Sequence, residues 1–81
     1  MHSITSLDDF NKMTKEDCLL IKKIILEKQN IEELPDKFFW CANVEHINLW
    51  KTNIKSDLSK LALFMNLTYL CITSIILYKT I

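Results

Sequence analysis

Apolar residues recur along this chain at a fixed separation of 23 positions: Ile24, Ile47 and Leu70 are one such series. Ile21, Ile24, Leu26 and Ile31 form one set, Val44, Ile47, Leu49 and Ile54 a second, and Leu67, Leu70, Ile72 and Leu77 a third. Within each set the residues sit at the same offsets. The intervening segments align too, with Phe38 over Leu61, and Cys18 over Cys41 over Phe64. A repeat of about 20 to 50 residues signals units that cannot bury their own apolar face and must stack on one another.

The totals narrow what such a stack can do. At 81 residues the chain is one domain at most. A domain this short buries only about 60–65% of its unfolded surface, so its core must be efficient. Ten basic and ten acidic residues cancel, and no basic stripe is interleaved with aromatics, so no nucleic-acid partner is expected. Glycine is absent and proline occurs once. Phosphate-cradling loops need glycine for close backbone approach, which excludes P-loop and dinucleotide motifs. Turns must rely on Asn, Asp and Ser. Cys18, Cys41 and Cys71 are widely spaced and form no CxxC pair, so no structural zinc and no cofactor are expected. Reduced, buried thiols in a cytoplasmic protein are the simplest reading. Met1 to Lys15 has no apolar run and does not resemble a secretory signal. On that basis the sequon Asn66-Leu67-Thr68 is expected to be unused.

Along the chain, Ser6 followed by Asp8 and Asp9 predicts a helix near 7–12, and Thr14 to Asp17 offers a second cap. Residues 15–29 fit two patterns. Cys18, Ile21, Ile24, Ile25 and Lys28 suit a helical face, whereas the 23-residue register places Ile21 to Glu27 in a strand, which we favour. Pro35 ends any ladder. Lys37 to Cys41 then predict a short turn or helix with Phe38 and Cys41 inward, flanked by Phe39 and Trp40. Val44 to Trp50 alternates as a strand, with Ile47 and Leu49 on one face and His46, Asn48 and Trp50 on the other. Ser56-Asp57 opens a segment in which Leu58, Leu61 and Phe64 have helical spacing. Leu67 to Thr73 repeats the strand.

Val44-Glu-His-Ile47-Asn-Leu49-Trp-Lys-Thr52-Asn-Ile54 and Ile31-Glu-Glu-Leu34-Pro35-Asp-Lys-Phe38-Phe-Trp-Cys41 resemble the two halves of a leucine-rich repeat of the intracellular, LP-containing type. The resemblance covers about residues 18–77. It implies an α/β solenoid: a short parallel sheet on a concave face and helical or irregular segments on the convex face. Residues 1–17 would be an N-terminal capping segment, and 18–81 about three degenerate repeats, truncated at the C-terminus. The departures are specific. The family's Asn position, which hydrogen-bonds backbone along the turn, holds Gln29, Thr52 and Ile75, and Asp57-Leu58 stands in place of Leu-Pro.

The same alternation sets the outward positions. Lys23, His46 and Tyr69 form one row, Ile25, Asn48 and Cys71 the next, and Glu27, Trp50 and Thr73 the third. In the family this concave face commonly binds protein partners, which implies a non-catalytic protein–protein interaction module. Lys23, Glu27, His46, Asn48, Trp50, Tyr69, Cys71 and Thr73 are then the candidate contacts. Trp50 beside His46 and Tyr69 is the candidate centre, since large aromatics dominate binding hot spots. The alternative for Trp50 is packing under a terminal element. His46 and Cys71 lie on a diagonal of adjacent strands, but no orienting third group accompanies them, so no enzyme is expected.

A competing reading starts from the uncharged run Leu61 to Tyr78, bracketed by Lys60 and Lys79. Its length suits a transmembrane helix and would make the chain a small tail-anchored membrane protein. Asn66, Thr68, Thr73 and Ser74 weigh against it. In the repeat reading, by contrast, the last strand ends on exposed Ile75, Ile76, Leu77 and Ile81, so that edge is expected to self-associate, continue or be covered by a partner.

Overall fold

The computed structural model describes residues 3–54, 59–73 and 75–77. Within them the chain is a small mixed α/β unit built on four parallel strands and one antiparallel strand. The elements are β1 (Ser3–Ile4), α1 (Leu7–Asn11), α2 (Lys15–Leu19), β2 (Lys23–Ile25), a 3-10 helix at Asp36–Trp40, β3 (His46–Trp50), a second 3-10 helix at Ser59–Leu63, β4 (Tyr69–Thr73) and β5 (Ile75–Leu77). The sheet order is β1-β2-β3-β4-β5, the order of the sequence.

Both N-terminal helices begin where a side chain can satisfy an orphan amide. Ser6 Oγ accepts from the Asp9 amide at 3.1 Å, with Asp8 and Asp9 in the first turn. Thr14 and Asp17 close a reciprocal capping box: the Asp17 amide donates to Thr14 Oγ1 at 3.2 Å and the Thr14 amide to Asp17 Oδ2 at 3.1 Å. In residues 15–29 the favoured strand forms at Lys23–Ile25, and the helical face does not: α2 stops at Leu19, so of that face only Cys18 is helical. β2 is shorter than the expected Ile21 to Glu27. The ladder nevertheless runs on past it, with the Leu26 amide donating to Asn48 O at 2.9 Å and the Lys28 amide to Trp50 O at 2.8 Å.

Residues 23 apart are register partners through the middle of the sheet. Ile24 pairs with Ile47 and Ile47 with Leu70, while Leu49 pairs with Ile72. The turn leading into each strand also recurs. Amides of Ile21, Val44 and Leu67 donate to the carbonyls of Cys18, Cys41 and Phe64. At the start of β3 the amides of Glu45 and His46 share the Lys22 carbonyl, and at the start of β4 those of Thr68 and Tyr69 share the Glu45 carbonyl.

The core lies behind the sheet. Ile24, Ile47, Leu26, Leu49, Ile72, Ile21, Val44 and Leu67 are buried, while Leu70 and Ile54 are half-buried against them. Each such aliphatic is worth about 1.5–3 kcal/mol relative to exposure. The 3-10 helices close the opposite side. Pro35, at φ −66°, leads into the first and puts Phe38 and Cys41 inward. Phe38 meets Phe10, Phe39 and Phe64 edge-on at 6.4, 5.5 and 5.9 Å. Phe39 stacks on Phe64, whereas Trp40 stays exposed. In the second, Leu61 and then Phe64 turn inward; Ser56, Asp57 and Leu58, assigned to the start of this segment, lie outside the described residues.

Two features depart from the periodic expectation. Ser3–Ile4 adds a parallel strand ahead of β2, with Ile4 opposite Ile24. At the other end the period runs as far as Thr73, the register partner of Trp50. Ile75, Ile76 and Leu77 double back as β5, antiparallel to β4, with Ile72 opposite Ile75 and Leu70 opposite Leu77. Leu77 therefore does not repeat the role of Ile31 and Ile54, and Ile75 does not repeat the turn of Thr52. The open edge expected on β4 is paired by β5. An antiparallel strand close in sequence supplies ladder partners locally, where a further parallel strand needs a long crossover. Ile81, also assigned to that edge, lies outside the described residues.

Candidate binding surface on the sheet

Strand alternation turns every second side chain of β2, β3 and β4 away from the core. In the first outward row Lys23 pairs with His46 and His46 with Tyr69. Lys23 is exposed and both rings are half-buried. The rings of His46 and Tyr69 stack, centroids 4.2 Å apart and planes within 10°. Burial, and then the Lys23 charge, lower the His46 pKa below its ordinary value of 6.5, because both disfavour the imidazolium. The row thus presents a neutral imidazole on a phenol ring beside a cation.

The second row holds Ile25, Asn48 and Cys71 in register. Asn48 orders the surface around it. Its Nδ2 donates to Glu27 Oε2 at 2.9 Å, and its Oδ1 accepts from the Trp50 amide at 3.0 Å. Cys71 departs from expectation: it is 3% exposed and offers no contact to a partner. β4 is an inner strand, and Cys71 has Asn48 of β3 and Ile76 of β5 as its register partners. His46 and Cys71 are diagonal neighbours in the register. Asn48 stands opposite Cys71, and His46 is committed to Tyr69.

In the third row Trp50 pairs with Thr73 in backbone register; the Thr73 side chain lies outside the description. Trp50 is half-buried beneath lysines: Lys51 Nζ lies 4.6 Å and Lys28 Nζ 5.6 Å from its ring centroid, within cation–π range. Neither lysine stands out from charge or periodicity alone. Their shared offset past β2 and β3, with Trp50 directly before Lys51, was the available signal. The Asn position of the turn also resolves locally. Thr52 is 6% exposed, and its hydroxyl donates to Leu49 O at 2.7 Å.

Lys23, Glu27, His46, Asn48, Trp50 and Tyr69 are thus brought onto one face. Among the described residues no group of three His, Cys, Asp or Glu side chains is placed to hold a metal ion. Leu61–Leu77, most of the apolar run weighed as a membrane span, is divided among a 3-10 helix and two strands over its described part. No helix among the described residues is long and apolar enough to cross a membrane. The sequence matches no protein-family model and no curated protein.

Proposed function

We propose that this protein is a non-catalytic protein–protein interaction module, a short solenoid of the leucine-rich-repeat type that holds its partner on the outward face of the parallel sheet. The observation behind this reading is the ordered aromatic and polar surface made by His46, Tyr69, Asn48, Glu27 and Trp50 on strands whose partners are 23 residues apart. Side chains already held in place lose little entropy on binding, and Trp and Tyr bury large area for few rotatable bonds. Three unpaired, buried cysteines fit a reducing compartment, the cytoplasm.

Parallel capture from cell extract tests the reading. Wild-type protein and the convex-side variants Leu63→Ala and Met65→Ala, both at exposed positions, should retain a common partner. Trp50→Ala and Tyr69→Ala should lose it while keeping the wild-type circular dichroism. Equal retention by all four variants rules the outward face out. Among the described residues β5 is the last strand of the sheet, and self-association through that end belongs to the same proposal; a monomer by light scattering at high concentration removes that part.

A further inference from the structure

Past β2 and β3 the chain turns twice in the same way. Lys28 has φ 59° and Lys51 φ 57°, a left-handed region that is costly for residues with a Cβ, and the chain has no glycine to offer there. The two turns bring Lys28, Gln29, Asn30, Lys51, Thr52 and Asn53 around an open cavity of about 340 Å³. Both ammonium groups lie over the Trp50 ring, which puts the two charges within about 10 Å of each other, about a Debye length at roughly 0.1 M salt. Among the described residues neither is in an ion pair. The neighbouring carboxylate, Glu27, is engaged by Asn48. Two like charges beside one cavity repel, and an anion between them relieves that repulsion. The side-chain amides of Gln29, Asn30 and Asn53 add neutral donors.

We propose that this paired-turn cavity binds carboxylates of an acidic peptide segment, with Lys28 and Lys51 as the cations and Trp50 joining the cavity to the outward row. The inference rests on the partner-binding reading of that face and names the chemistry of the partner. A peptide fits better than a dense polyanion. The chain is neutral overall, Glu27 adjoins the lysines, and the lysines act as separate point charges rather than as an arginine fork. Trp50, which lies under both lysines, also leads from the cavity onto the outward face of the sheet, where an extended peptide can run and a free anion has no need to.

Titration of acetylated hexaglutamate into the full-length ¹⁵N-labelled protein at low salt tests this. Amides 28–30 and 51–53 and the Trp50 indole should shift, and the affinity should weaken about fivefold in the double variant Lys28→Asn/Lys51→Asn. Asparagine tolerates the left-handed backbone, so that variant is expected to fold. Should it not, the wild-type titration repeated at rising salt decides: binding must weaken with ionic strength. Absence of shifts, shifts unchanged in the double variant or by salt, equal shifts from inorganic phosphate, or stronger binding to phosphatidylserine vesicles would each overturn the inference. Tyr69→Ala separates it from the function proposed above. That variant should lose the protein partner and keep hexaglutamate.

Discussion

His46 and Tyr69 sit opposite each other on neighbouring parallel strands and stack with centroids 4.2 Å apart. The stack half-buries the imidazole, and Lys23 sits beside it on the other strand. These two influences make His46 a pH reporter for the whole face. Its folded pKa lies below the unfolded value of 6.5, with burial the larger cause. The unfolded chain therefore binds the proton first as pH falls. The His46 contribution to stability is present above pH 6.5 and is lost as pH drops from there to the folded pKa. An NMR titration should place the His46 midpoint below 6.5, and Lys23→Gln should raise it part of the way. A midpoint unchanged by that substitution would show that burial acts alone.

Asn48 links Glu27 on one side to the Trp50 amide on the other. Asn48→Ala should lower stability by about 1 kcal/mol, the net worth of hydrogen bonds that water can partly replace. Asn48→Asp should cost more, since it sets a second carboxylate against Glu27. Urea midpoints read both. Equal midpoints for the alanine variant and wild type would mean that the two bonds contribute nothing.

Phe38 is fully buried and touches Phe10, Phe39 and Phe64. From the first 3-10 helix it joins α1, through Phe10, to Phe64 just past the second 3-10 helix. Phe38→Ala should cost about 3–5 kcal/mol, a large part of the total stability expected at this size. Phe39→Ala, at a half-buried ring, should cost less. Thermal unfolding of the two variants gives the order, and a reversed order would contradict this arrangement of the core.

All three thiols are buried. Burial first, and the neighbouring Cys18 second, push the Cys41 pKa up to about 12 from 9.0. Native protein should react with a thiol reagent at pH 8 only as fast as it unfolds, because the thiolate is the nucleophile. Above about pH 9 the unfolded chain releases its Cys41 proton first. Stability should therefore fall as pH rises from 9 towards 12. Rapid labelling of Cys41 without denaturant would refute this.

Repetition itself can be tested. A second copy of residues 44–66 inserted after Asn66 keeps the 23-residue phase. If the units stack as proposed, the longer chain should unfold cooperatively at a midpoint no lower than that of the parent, since each added unit brings one more interface. Loss of cooperative unfolding would argue against the solenoid.

Much of the central sheet was legible because one period governs it. Ile24, Ile47 and Leu70 could be aligned on paper, and a single-residue slip would have turned each apolar column to solvent. Ser6 and Thr14 were legible as caps because capping is local. The surface was legible by position but not by state. Alternation placed Cys71 outward, yet exposure depends on what lies beside a strand. Lys28 could be placed only on a helical face and Lys51 had no assigned role, and the two turns bring both over Trp50.

The sequence by itself determined the strand register, the inward columns and the two caps, since the first two follow from one repeated spacing and the caps from a few neighbouring residues. Only the tertiary structure decided that Ser3–Ile4 joins the sheet, that β5 doubles back on β4, and that two lysines share one indole. Those outcomes depend on contacts between segments distant in sequence or on free strand edges, and no periodicity along the chain encodes which edge is filled or by what.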